Sequence, residues 1–248
     1  MDLAISGRTA AVAAGTAGLG FASAQALVEA GVRVVICGRG RERLDAAVAR
    51  LGGGAVGVEC DVSTADGAAM FVDLARERLG HVDILVANGG GPKPGNFAAL
   101  ETADYLPALQ QSLLSVVAMC EATVPAMRER KWGRVVAITS ISVRQPIANL
   151  ILSNTARAGV TGFLKTLARE VAADGVTVNS AQPGIHATDR ITQLYGSSPD
   201  AAQLGIPAGV VGDPADFGKV VAFLCSEPAR FITGAHVPVD GGSYAGLL

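Results

Sequence analysis

Ala13-Ala14-Gly15-Thr16-Ala17-Gly18-Leu19-Gly20 is the stretch that decides the fold. It closes a short strand-like run, Thr9–Ala13, and opens a helical pattern, Leu19–Ala30. A turn of this kind aims backbone N–H groups and the positive end of a helix dipole at one point, and its glycines let an anionic group approach the main chain closely. Gly15, Gly18 and Gly20, with Thr16 and Leu19 between them, therefore make a candidate pyrophosphate cradle. A tight strand-to-helix connection without a ligand uses the same residues; the position directly after the first strand favours the cradle.

Outward from this turn the pattern repeats. Arg33–Cys37, Gly57–Cys60, Ile84–Ala87, Arg134–Thr139, Thr177–Ser180 and His236–Val239 read as further strands. Arg41–Leu51, Ala65–Leu79, Ala103–Arg130, Asn154–Ala173 and Pro214–Ser226 read as the helices between them. Strands alternating with helices predict a right-handed, doubly wound parallel sheet, an α/β fold covered on both faces. Half of the residues are hydrophobic, which such a sheet needs because its strands are buried on both sides. No linker, repeat or low-complexity segment interrupts the chain, so residues 1–248 are expected to form a single domain. Gly89–Asn96 falls between a strand and a helix, where it reads as a loop on the functional face.

Bulk properties exclude several classes of partner. A net charge of −2 argues against nucleic acid and anionic membranes. The four cysteines, Cys37, Cys60, Cys120 and Cys225, are scattered and read as reduced thiols. Three unclustered histidines argue against a metal site. No basic-then-apolar leader opens the chain, and no apolar run approaches the ~20 residues that span a bilayer, so a soluble cytoplasmic protein is expected.

Four further segments carry a resemblance. Strand two is followed by Arg39, with no acidic residue that would hold a ribose 2′-hydroxyl. Asp61-Val62 follows strand three, Ala87-Asn88-Gly89-Gly90 closes strand four, and Pro183-Gly184-Ile185-His186-Ala187-Thr188 closes strand six. With the first turn and Val239-Asp240-Gly241-Gly242, these resemble, in order and spacing over almost the whole chain, the short-chain dehydrogenase/reductase family. Closest in pattern are reductases of the 3-oxoacyl-carrier-protein type, in a subgroup with imperfect motifs. The resemblance implies an NADP(H) site: the glycine turn for the pyrophosphate, Arg39 for a 2′-phosphate, Asp61 and Val62 for adenine, Asn88 and Gly90 under the nucleotide, and Pro183, Gly184, Ile185 and Thr188 around the nicotinamide. Ala13 and Ala14 depart from the family's Thr-Gly, and Gly15 is expected to supply the freedom the missing glycine would have given.

The catalytic positions depart further. The family tetrad is Asn, Ser, Tyr and Lys. Ser140 fits the Ser; thirteen residues later the Tyr position is Ser153, four beyond it the Lys position is Arg157, and 28 before it the Asn position is Ser112. Arg157 can donate to a nicotinamide ribose and stabilise an oxyanion, but it cannot release a proton. His186 and Tyr195 are candidate substitutes for the proton donor, with a surface-loop histidine and a packing aromatic as the plain alternatives. Arg144 and Lys165 read as solvated. Three functions follow: an NADP(H)-dependent carbonyl reductase with a rebuilt proton donor, a non-redox cyclase, dehydratase or isomerase, or a binding protein that has lost catalysis. The first is favoured by the retained nucleotide positions. The resemblance also implies a homodimer or homotetramer formed through the helices near 103–130 and 154–173. The short, weakly charged segment Ile191–Leu204 suggests a mainly apolar small-molecule carbonyl substrate.

Overall fold

In the computed structural model, described for residues 1–248 apart from 190, 193–195, 197, 198 and 248, seven parallel strands form one sheet in the order β3-β2-β1-β4-β5-β6-β7. The strands are β1 Thr9–Val12, β2 Arg33–Gly38, β3 Ala55–Glu59, β4 Ile84–Ala87, β5 Gly133–Ile138, β6 Val176–Pro183 and β7 His236–Val239. The helices are α1 Gly18–Glu29, α2 Arg41–Leu51, α3 Ala65–Leu79, α4 Tyr105–Leu109, α5 Ser115–Glu129, α6 Ile151–Val171 and α7 Pro214–Leu224. Among the described residues no helix is long and apolar enough to cross a membrane.

Period-two alternation sorts the strand side chains into two cores. Ala11, Val35, Leu85, Val135 and Ala137 pack with α3, α5 and α6. Ala10, Val34, Ile36, Ile84, Val86 and Val136 pack with α1, α2 and α7. Both faces are covered, which is why these strands carry apolar runs rather than alternating patterns. The sheet order reverses between β1 and β4, and the loops that leave the strand ends there frame the site.

Two elements differ from the sequence reading. The helix expected over Ala103–Arg130 is four pieces: a 3₁₀ turn at Thr102–Asp104, α4, a π-helical turn at Gln110–Leu114, and α5. The wider turn carries one extra residue, a feature found mostly at functional sites. It brings Gln111 to the cleft and buries Ser112 at 6% exposure. Helix α6 starts at Ile151 rather than Asn154, because Leu152 is apolar and buried against the core. The Asn154 side chain is then left to bond both Ile147 N–H and Ile147 C=O, which ties down the preceding loop.

Candidate active site

The glycine turn is held from below. Asn88 Nδ2 donates to the carbonyls of Ala13 (3.2 Å) and Ala14 (3.4 Å), so the end of β4 clamps the end of β1. Ala14 itself takes the left-handed conformation, φ 48°, at the position where the family carries glycine. Gly15 therefore does not supply the missing freedom. Its role is close approach: a Cβ there would lie 2.7 Å from Ile36 Cγ2. Gly18 is left-handed, φ 55°, and Thr188 lies over it, with Cγ2 3.5 Å from where a Cβ would be. Thr64 and Asp213 cap α3 and α7 with their side chains, whereas α1 has no side-chain cap and no acid in its first turn. Its leading N–H groups are therefore left for another partner, at the positive end of the helix dipole.

Beside this turn lies a cleft of about 200 Å³ bordered by Thr16, Arg39, Arg43, Asp61, Val62 and Gly90, with Gln111 at its inner end. The structure thus gathers five of the residues named from sequence and adds Arg43 and Gln111. Arg41, between the two cleft arginines, is paired to Asp45 at 3.1 Å. Arg39 and Arg43 are exposed at the rim. Two thiols form the floor: burial pushes Cys37 up to about 12, and raises Cys60 as well, so both are neutral. Cys37 accepts the Ala14 N–H through Sγ.

Farther in, a pocket of about 10 Å³ is lined by Asn88, Gln111, Ser112, Thr139 and Arg157, among others. The Ser112 hydroxyl is buried there without a hydrogen-bond partner. Arg157 spans the wall. Its Nη1 donates to the carbonyls of Ile138 (3.1 Å) and Thr139 (2.9 Å), and its Nε donates to Ser153 Oγ (3.2 Å). Ser140 Oγ, one residue past Thr139, accepts from Ser142 N at 3.0 Å. Both serine oxygens accept a bond, and their own O–H groups remain rotatable donors.

The other candidates lie elsewhere. His186 is no surface-loop residue: it is 5% exposed, packs edge-on against Phe217 of α7 at 5.2 Å, and its Nδ1 contacts the Gly184 carbonyl. Burial lowers its pKa, so it is neutral near pH 7. Tyr195 lies outside the described residues. Lys165 and Arg144 are not simply solvated. Lys165 Nζ donates to Gly234 O at 2.7 Å, while Arg144 donates to Gln182 Oε1 and His236 O at 3.0 and 2.9 Å. Among the described residues no group of three His, Cys, Asp or Glu side chains could hold a metal.

A parallel sheet with its crevice at the switch point, floored by a glycine turn and walled by the β5–α6 side chains, defines the doubly wound α/β class with a ligand cleft at the strand ends. Residues 13–244 match the family model described as enoyl-(acyl carrier protein) reductase. The chain is 32% identical over 238 residues to the 3-oxoacyl-[acyl-carrier-protein] reductase of Haemophilus influenzae, covering 96% of this chain and 98% of that one. It is 32% identical over 243 residues to the acetoacetyl-CoA reductase of Cupriavidus necator, covering 96% and 99%. Among solved structures it resembles L-sorbose reductase from Gluconobacter frateurii complexed with NADPH and L-sorbose (TM-score 0.93, 28% identity, 100% of each chain). It also resembles an NADPH-bound short-chain oxidoreductase from Pseudomonas aeruginosa containing an atypical catalytic centre (TM-score 0.89, 29% identity, 96% and 97% covered). The chain belongs to the short-chain dehydrogenase/reductase family.

Proposed function

We propose that the protein is an NADPH-dependent reductase of small, mainly apolar carbonyl compounds, in which Ser140, Ser153 and Arg157 replace a phenol-centred site. One observation carries this reading: the Arg157 guanidinium fixes Ser153 Oγ and the Ile138–Thr139 carbonyls together. A serine oxygen that accepts from a cation has a more polarised O–H. Ser153 and Ser140 can then both donate to one carbonyl oxygen, with the charge of Arg157 behind them as negative charge develops.

The residues around the cleft fit the cofactor. The Gly18–Gly20 turn and the uncapped α1 suit a pyrophosphate, Arg39 and Arg43 suit a 2′-phosphate, Asp61 and Val62 suit the adenine edge, and Thr188 with Pro183, Gly184 and Ile185 suits the nicotinamide. When bound, the reduced nicotinamide supplies the hydride. The protein's part is to exclude water, orient the carbonyl and stabilise its oxygen. NADPH bound by the relatives is consistent with this assignment. The loops flanking the site meet at the Gly95–Leu150 bridge, and Phe97 (83% exposed) and Ile147 (38%) stand open on them, which favours an apolar substrate.

A homodimer or homotetramer belongs to the same proposal, although Val116 and Ala118 of α5 and Val160 and Leu164 of α6 face the core. Calorimetric titration with NADPH and NADH tests the whole reading. NADPH is expected to bind at least tenfold more tightly, and Arg39→Ala with Arg43→Ala is expected to remove the preference. Absence of binding by either nucleotide at millimolar concentration would reject it.

A further inference from the structure

The rebuilt site leaves open where its proton comes from, since Arg157 cannot release one. Behind Arg157 the sheet carries a polar track among apolar neighbours. Thr139, at the end of β5, is 4% exposed, and its Oγ1 donates to Ser180 Oγ on β6 at 3.4 Å. Ser180 is fully buried and lies 2.9 Å from His236 Nδ1 on β7. The strand register makes this alignment: Ala137 pairs Ser180 and Ser180 pairs His236, so Thr139, two residues past Ala137, projects from the same sheet face. At its inner end Thr139 borders the pocket lined by Ser112 and Arg157, which has room for about one water. At its outer end the His236 ring is only partly buried. Hydroxyls inside a sheet core cost stability unless bonded, and here two of them, Thr139 and Ser180, line up from the pocket toward a titratable ring.

We propose that Thr139, Ser180 and His236 form a proton-conducting chain that resupplies the active site from solvent during carbonyl reduction. The inference rests on the reductase reading. The hydride forms the new C–H bond and converts the C=O π pair into an oxygen lone pair, which takes a proton from a serine hydroxyl at the site. That hydroxyl is refilled through the inner pocket from Thr139 Oγ1; the Thr139 and Ser180 hydroxyls then turn, so that Ser180 Oγ donates to Thr139 and is itself refilled from His236 Nδ1, while His236 Nε2 takes up one proton from water. One solvent proton is consumed and no hydroxyl is left charged. Lys165 of α6 and Arg144 of the turn after β5 face His236, Lys165 through its bond to Gly234 and Arg144 through its bond to the His236 carbonyl. Burial, then these two cations, lower the His236 pKa, which leaves a neutral ring with one N–H and one acceptor, the form that can pass a proton through.

The test compares wild type with Thr139→Val, Ser180→Ala, His236→Gln and His236→Ala for NADPH affinity, kcat, KM, solvent deuterium isotope effect and pH profile. Unchanged NADPH affinity and circular dichroism establish that each variant is folded. The expected result is a fall in kcat of about tenfold or more with KM unchanged, a larger isotope effect, and partial rescue of His236→Ala by added imidazole. Folded variants with wild-type kcat and isotope effect would overturn the chain while leaving the reductase reading intact. A wild type that binds no NADPH and reduces no carbonyl compound would overturn both.

Discussion

Gly20 tests the geometry of the first turn most directly. A methyl group at this buried position would lie 2.5 Å from the Ala14 carbonyl oxygen and 2.6 Å from Asn88 Nδ2. Comfortable contacts are about 3.5 Å, so either α1 retreats by roughly 1 Å or the Asn88 amide releases both carbonyls it holds. Overpacking costs about 1–3 kcal/mol and each lost hydrogen bond about 1 kcal/mol. Gly20→Ala is therefore expected to destabilise by about 3 kcal/mol, and at ~2–4 °C per kcal/mol for a chain of this size the melting temperature should fall by roughly 6–12 °C. Two neighbours calibrate the effect. Gly18→Ala meets nothing closer than Thr188 Cγ2 at 3.5 Å and suffers only its φ of 55°, about 1 kcal/mol. Ala14→Gly relieves a φ of 48° and is offset by unfolded-state entropy, so it should stabilise by up to ~1 kcal/mol. Urea denaturation without nucleotide measures all three. A Gly20→Ala variant within about 0.5 kcal/mol of wild type, the ordinary scatter of harmless substitutions, would refute the reasoning. So would a Gly18→Ala variant that is the more damaged of the two.

Two other outcomes follow from polar groups held in the interior, one partly and one fully buried. Arg157→Met removes the donor to Ile138 O, Thr139 O and Ser153 Oγ; it should cost about 2 kcal/mol of stability and at least ~100-fold in kcat/KM, whereas Arg157→Lys should recover part of the stability because an ammonium can still serve a carbonyl. Equal melting temperatures for wild type and Arg157→Met would show that the strap carries no load. His186 is held neutral by burial, with a pKa below its ordinary 6.5. The unfolded chain binds the extra proton first, so stability should be full above pH 6.5 and decline below it, by at most ~1.4 kcal/mol per pH unit from this residue. Chemical denaturation at pH 7.5 and 5.5 checks the sign, and a protein more stable at pH 5.5 would contradict the buried, neutral assignment.

Much of the architecture was legible because it is local. Apolar runs such as Ile84–Ala87 and the alternation of strand and helix signals need only neighbours in sequence, and they named all seven strands. Helix ends and the π-helical turn were less legible, since Gln110–Leu114 has the composition of an ordinary helix and only its packing over the crevice widens the turn. Gln111 was missed for that reason. Arg144, Lys165 and His186 looked solvated because isolated polar residues usually are; their partners at Gln182, Gly234 and Phe217 lie far away in sequence. Substitution of Ala for glycine at position 14 gave a signal, yet its consequence, a left-handed alanine, depends on the clamp from Asn88.

The sequence by itself determined the doubly wound sheet and the glycine turn, because each is a matter of period or spacing along one chain. Tertiary structure alone decided which residues distant in sequence meet. It joined Arg157 to the end of β5, and it aligned Thr139, Ser180 and His236 across three adjacent strands. Strands β5, β6 and β7 are separated by helices and loops in sequence but hydrogen-bonded side by side in the sheet, so cross-strand neighbours become visible only once the register is set.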